Sequence, residues 1–136
     1  MAGGILPLGC GGSPTFVPTI SQGLYGRVVV YKGNCMPGAG ECKISHPSRR
    51  VFIREPATDE QISESYLVRS VGLVATTTAD KDGFYEVSLV PGTYSVFVED
   101  DGKEYCGFFG GQHEACQVAI GDGLTERELQ IDHAAW

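Results

Sequence analysis

The sequence has no run of about 18 consecutive apolar residues, so nothing in it is fitted to cross a bilayer as a helix. Positive charge is scarce. Ten Lys and Arg stand against 17 Asp and Glu, a formal net charge of −7, and phosphate backbones and anionic lipid surfaces repel a fold of that sign. Nucleic acid is therefore a poor partner. Also missing are Cys-x-x-Cys and Cys-x-x-His pairs of the kind thiolate metal sites show, a Gly-x-Ser-x-Gly nucleophile turn, and any internal repeat. What remains is a chain of 136 residues, 42% hydrophobic, with a mean hydropathy of −0.05. That is enough apolar material for one core and length enough for one domain. Nineteen glycines and seven prolines imply many tight turns between short elements, which favours an all-β architecture.

Five cysteines are many for a short cytosolic chain. Cys35 with Cys42 and Cys106 with Cys116 form two local pairs, each closing a short glycine-containing loop, and this suits disulfides in an oxidising compartment. Other pairings of the four stay open, and bound zinc is the competing reading. The odd cysteine, Cys10, lies in Leu6-Pro7-Leu8-Gly9-Cys10. This stretch resembles the lipobox at which bacterial lipoproteins are acylated, although Pro7 stands where an aliphatic residue is preferred and no basic or long apolar region precedes it. Two readings compete for Cys10: a site of lipid attachment, or an unpaired thiol on a tail.

Residues 1–22 carry glycines and prolines with little periodicity and read as a flexible leader or tether, leaving residues 23–136 as the folded domain. Leu24–Tyr31 is rich in β-branched and aromatic residues and reads as the first strand. A loop holding the first cysteine pair follows. In Arg50–Glu55, Val51 and Ile53 share one face and Phe52 takes the other. Thr58–Ser65 is polar, with capping character, and reads as loop or a single helical turn. Asp80-Lys81-Asp82-Gly83 predicts a hairpin between Leu67–Ala79 and Phe84–Leu89. Pro91-Gly92 turns the chain into Thr93–Glu99, where Tyr94, Val96 and Val98 face one way and Phe97 the other. Further Asp-Gly turns at Asp101-Gly102 and Asp122-Gly123 lead into Glu104–Phe109 and Glu126–Asp132, the latter placing Leu129 and Ile131 opposite Glu128, Gln130 and Asp132. Roughly seven to eight strands at this spacing suggest a two-sheet sandwich.

The run from Thr78 to Val96, Thr-Ala-Asp-Lys-Asp-Gly-Phe-Tyr-Glu-Val-Ser-Leu-Val-Pro-Gly-Thr-Tyr-Ser-Val, resembles the core of carboxypeptidase regulatory-like domains, and Gly23–Val28 resembles the opening strand of that family. The resemblance implies a transthyretin-like Greek-key β-sandwich, commonly extracytoplasmic in bacteria and often carried on lipoproteins or appended to larger enzymes and transporters. The motif itself contains no catalytic group. Its glycines and proline shape turns, so function has to come from sites elsewhere. Two enzyme groups of related sandwich fold, hydroxyisourate hydrolases and intradiol dioxygenases, have signatures that this sequence lacks.

The three histidines, His46, His113 and His133, are far apart in sequence and read first as surface residues, with no spacing that calls for a metal or any other cofactor. Asp80, Asp82 and Glu86 partly resemble a calcium loop but fit turn chemistry better. The aromatic and glycine-rich stretch around Cys106 offers Tyr105, Phe108, Phe109 and His113 as a binding patch for a protein, peptide or glycan of the cell envelope; the competing fate for the phenylalanines is to plug the edge of the sandwich. The sequence thus points to a non-enzymatic binding or structural module of the periplasm or cell envelope. A metal-dependent or hydrolytic enzyme of the same fold is the alternative.

Overall fold

The longest strand, β1 (Gly23–Asn34), forms because Val28, Val29, Val30 and Tyr31 favour extended backbone, and it becomes the axis of one sheet. A computed structural model describes residues 15–108 and 113–136. The first half of β1 pairs antiparallel with β8 (Phe84–Ser88) and parallel with β13 (Leu124–Glu126). Its second half pairs antiparallel with β2 (Glu41–Ser45) and parallel with β14 (Leu129–Ala135). The second sheet runs in the order β5 (Ile62–Ser63), β6 (Tyr66–Leu67), β10 (Lys103–Tyr105), β9 (Gly92–Asp100), β3 (Arg50–Arg54), β7 (Leu73–Thr78), and β12 (Gln117–Ile120) pairs with the start of β9. A two-stranded patch joins β4 (Ala57–Thr58) to β11 (Glu114–Ala115).

The expected all-β sandwich is what forms. Leu24, Val28 and Val30 of β1, Tyr85 and Val87 of β8, and Leu129 and Ile131 of β14 meet Val51 and Ile53 of β3, Val96 and Val98 of β9, and Val118 and Ile120 of β12. Each fully buried side chain of this kind contributes about 1.5–3 kcal/mol relative to exposure, which is why the alternating faces of β3, β9 and β14 settle as the sequence implies. The second sheet also buries part of its outer side. Phe97, pointing away from the main core, packs with Ala57, Ala115 and the Cys106–Cys116 disulfide in a second, smaller cluster. The other expected pair, Cys35–Cys42, is likewise a disulfide, so the zinc reading of these thiols does not hold.

Sheet membership departs from the sequence reading at two of the three Asp-Gly turns. The Asp80–Gly83 segment is a tight turn, with the Gly83 N–H donating to the Asp80 carbonyl, but it is not a hairpin: β7 pairs with β3 in the second sheet and β8 with β1 in the first. The cause is local. The Asp80 carboxylate accepts the N–H groups of Asp82 and Phe84 at 2.8 and 3.0 Å, so a side chain caps donors that a ladder would otherwise use, and the chain turns the corner between sheets. Asp122-Gly123 makes a second such crossing, from β12 to β13. Only Asp101-Gly102, with φ of 55° and 74°, closes a true hairpin, between β9 and β10.

The described residues hold fourteen strand segments, more than the sequence expectation, because long runs are broken. Glu126–Asp132 is split at Arg127, whose N–H donates to the Tyr25 carbonyl, and β10 stops at Tyr105. β2 was expected as loop and is a strand with every residue exposed. Thr58–Ser65 combines strand ends with one 3-10 turn, Asp59–Gln61, closed by Gln61 Oε1 accepting from the Thr58 N–H and hydroxyl. N-terminal to Gly23, Thr19 donates to Glu86, and Gln22 bridges the Leu89 and Gly121 carbonyls, so packing begins before β1.

Candidate functional site

Three inward-facing stripes change character at the same end of the sandwich. Along β1 the stripe runs Val28, Val30, Lys32; along β14, Leu129, Ile131, His133; along β9, Val96, Val98, Asp100. Lys32 and His133 are register partners on adjacent strands. Where the apolar core ends, its next layer is therefore ionisable, and Lys32, Arg49, Tyr66, Asp100, Asp101 and His133 line a cleft of about 440 Å³.

Asp100 is its centre. The Tyr66 hydroxyl donates to Asp100 Oδ2 at 2.6 Å and His133 Nε2 lies 2.6 Å from the same oxygen. Arg49 Nη1 reaches Oδ1 at 3.4 Å while also donating to the Glu99 carbonyl at 3.0 Å. Burial alone would push the Asp100 carboxyl up. The hydrogen bonds from Tyr66 and His133, with the charges of His133 and Arg49, outweigh it and hold the carboxyl below its usual range. In turn, the hydrogen bond to Asp100, reinforced by burial and the carboxylate's charge, pushes the Tyr66 phenol up to about 12.

The ring of Tyr66 packs edge-on against Tyr105 at 5.3 Å, and Tyr105 packs edge-on against His133 at 5.9 Å. Lys103 Nζ sits 5.3 Å over the Tyr66 ring. Because Asp100 is ionised, the His133 nitrogen facing it donates to the carboxylate, and Nδ1 makes no hydrogen bond among the described residues. The side chain of His133 is 39% exposed while that of Asp100 is 8% exposed, so the carboxylate orients a ring that the solvent can reach.

Chemically this is an oriented carboxylate–imidazole pair flanked by cations. Among the described residues, no serine, threonine or cysteine lines the cleft and all four cysteines are disulfide-bonded, so the described lining offers no hydroxyl or thiol besides the engaged Tyr66. Among the described residues, no group of three or more His, Cys, Asp and Glu is placed to hold a metal ion. No helix among them is long and apolar enough to cross a membrane.

The described members of the patch expected from the sequence, Tyr105, Phe108 and His113, sit in different surroundings. Tyr105 is buried and belongs beneath the Asp100 cleft. Phe108 is half-buried between the two apolar clusters, with the Arg127 guanidinium 4.8 Å over its ring, and borders a separate cleft with Glu126, Glu128 and Gln130. His113 is exposed, with Nδ1 3.0 Å from Asp59 Oδ2. Phe109 and Cys10 lie outside the described residues. His46 places Nδ1 2.9 Å from the Val28 carbonyl. Of the acids suggestive of calcium, Asp80 is turned to its own turn and Glu86 to Thr19. His133 is at the surface, as read, but its ring also meets the buried Asp100 carboxylate, a contact that the sequence reading missed. The signal for it was the continuation of an alternating stripe by one more inward position, repeated on three strands. No protein-family model matches this chain, and neither does any curated protein or any solved structure.

Proposed function

We propose that this chain is a non-enzymatic binding module, a transthyretin-like Greek-key sandwich of the carboxypeptidase regulatory-like kind, whose ligand site is the cleft around Asp100. The observation that carries the reading is the common end of the three stripes. Lys32, Asp100 and His133 occupy inward positions that the pleat would otherwise fill with apolar side chains, and a mouth of convergent polar groups over an apolar floor is what ligand sites offer. The two disulfides support an oxidising, extracytoplasmic setting, the bacterial periplasm or cell envelope, with Cys10 as the point of lipid attachment. A protein, peptide or glycan of that compartment is the partner class, and no cofactor is invoked.

A hydrolytic role is the second reading, favoured by the Asp100–His133 pair, since an imidazole oriented by a carboxylate is a general base in waiting. One experiment separates the two. Amide NMR spectra of the disulfide-bonded protein, recorded against a panel of acidic, basic and neutral saccharides, peptides and envelope fragments, are expected to show saturable shifts at Lys32, Arg49, Tyr66 and His133 with the compounds unchanged. Turnover that His133→Ala abolishes would replace the binding reading with the hydrolytic one. Shifts confined to other surfaces would remove the cleft from both.

A further inference from the structure

We propose that the Asp100 cleft takes a hydroxylated carboxylate, the chemistry of a sugar acid, with Lys32 and Arg49 receiving the carboxylate and His133 Nδ1 hydrogen-bonded to a hydroxyl. The inference rests on the reading of this cleft as a binding site and names its ligand class. Charge accounting within the cleft leads to it. The Asp100 carboxylate is already answered by Tyr66, His133 and Arg49. Among the described residues, Lys32 makes no ion pair and only one terminal nitrogen of Arg49 is engaged, leaving Nε and Nη2 without a partner there. A guanidinium with two such donors and an ammonium lining the same cleft can receive a planar carboxylate.

The hydroxyl follows from His133. Its Nε2 faces Asp100 at 2.6 Å and Nδ1 has no partner among the described residues, and a hydroxyl, which both donates and accepts, meets that nitrogen whether or not the ring is charged, whereas a carboxylate only accepts. Asp101 is the opposing group. It lines the same cleft from the β9–β10 turn, exposed and at φ 55°, and its charge repels an anion seated between Lys32 and Arg49. The site therefore predicts effects of opposite sign from two exposed residues. Lys32→Gln removes an attraction; Asp101→Asn removes a repulsion, and asparagine tolerates the left-handed backbone there.

The test is a set of amide NMR titrations at neutral pH and low salt with D-glucuronate, D-glucose, acetate and inorganic phosphate. Glucuronate is expected to shift Lys32, Asp101 and His133 saturably, to bind about fivefold more weakly to Lys32→Gln, and to bind several-fold more tightly to Asp101→Asn, the size of one partly screened charge contact. Both substitutions are at exposed positions, and unchanged spectra away from the cleft verify the fold. Glucose binding as well as glucuronate overturns the anionic assignment and leaves the binding cleft standing. Acetate matching glucuronate overturns the hydroxyl contact to His133, and phosphate exceeding it overturns the carboxylate. Silence of the cleft toward all four probes overturns the inference, whereas the broader reading falls only if the wider compound panel also leaves the cleft unmoved.

Discussion

Asp100 shows how one residue couples stability to pH. Its carboxyl is held below the usual range in the folded chain, so the stabilisation it supplies is complete above pH about 4 and fades as pH falls through the lower folded value. Asp100→Asn removes the charge that Arg49 and His133 answer. At neutral pH the variant is expected to lose about 2–4 kcal/mol, in keeping with breaking a largely buried ionic contact, and urea midpoints measured from pH 7 to 2 should converge with those of the unmodified protein at the acid end. A gap that stayed constant down to pH 2 would mean that the carboxylate acts only as a neutral acceptor. Tyr66 has the opposite sign. Its phenol is pushed up to about 12, so its contribution is present below pH 10 and disappears as pH rises through about 12. Tyr66→Phe should cost about 1–3 kcal/mol, the worth of a hydrogen bond to a charged group, and should flatten the alkaline limb of the stability profile.

At the level of strands, the sequence was a good guide to faces and a poor one to partners. The alternation in Arg50–Glu55, Thr93–Glu99 and Leu129–Asp132 told which side chains would be buried, because the pleat is a local property and burial rewards it directly. Pairing is not local. An Asp-Gly signal specifies a reversal but not whether the two strands stay in one sheet, and the Asp80 carboxylate, by taking the Asp82 and Phe84 N–H groups, decides the matter between residues a turn apart. β2 was illegible for a related reason: its residues are all exposed, so it carries no buried stripe and exists by pairing with β1. His133 was hidden because single residues were judged by sequence neighbours, and its partner Asp100 is on another strand. The β7–β8 corner yields a direct prediction. A Cβ on Gly83, already at φ 87°, would lie 2.9 Å from His46 Cβ and 3.0 Å from the Val28 carbonyl oxygen. Gly83→Ala should therefore cost more than about 1 kcal/mol, read as a lowered thermal midpoint. Gly102→Ala, with open space around its Cβ, meets only the backbone strain of its φ of 74° and should cost less.

Across the whole molecule, the two disulfides close loops of similar length yet do different work. Sequence separations of 7 and 10 give chain-entropy contributions of about 2–3 kcal/mol each, with little to distinguish them. Their surroundings differ. Cys35 and Cys42 staple the exposed connection between β1 and β2, where the loss of two sulfurs opens no cavity. Cys106 and Cys116 are 2% and 0% exposed and pack against Phe97, Ala57 and Ala115, so they serve as the apolar filling of the second cluster as well as a crosslink. They also anchor the chain that returns to β9, since the Val96 N–H donates to the Cys116 carbonyl. Replacing both members of each pair with alanine removes the crosslink in either case but empties space in only one. The Cys106→Ala/Cys116→Ala protein is expected to be less stable than Cys35→Ala/Cys42→Ala by about 1–3 kcal/mol, the added cost of a core truncation that relaxes only in part. Guanidinium midpoints of the two double variants, compared at matched slope, measure this difference. Equal midpoints would mean that entropy of the unfolded chain is the whole contribution and that the outer cluster adds nothing to the fold.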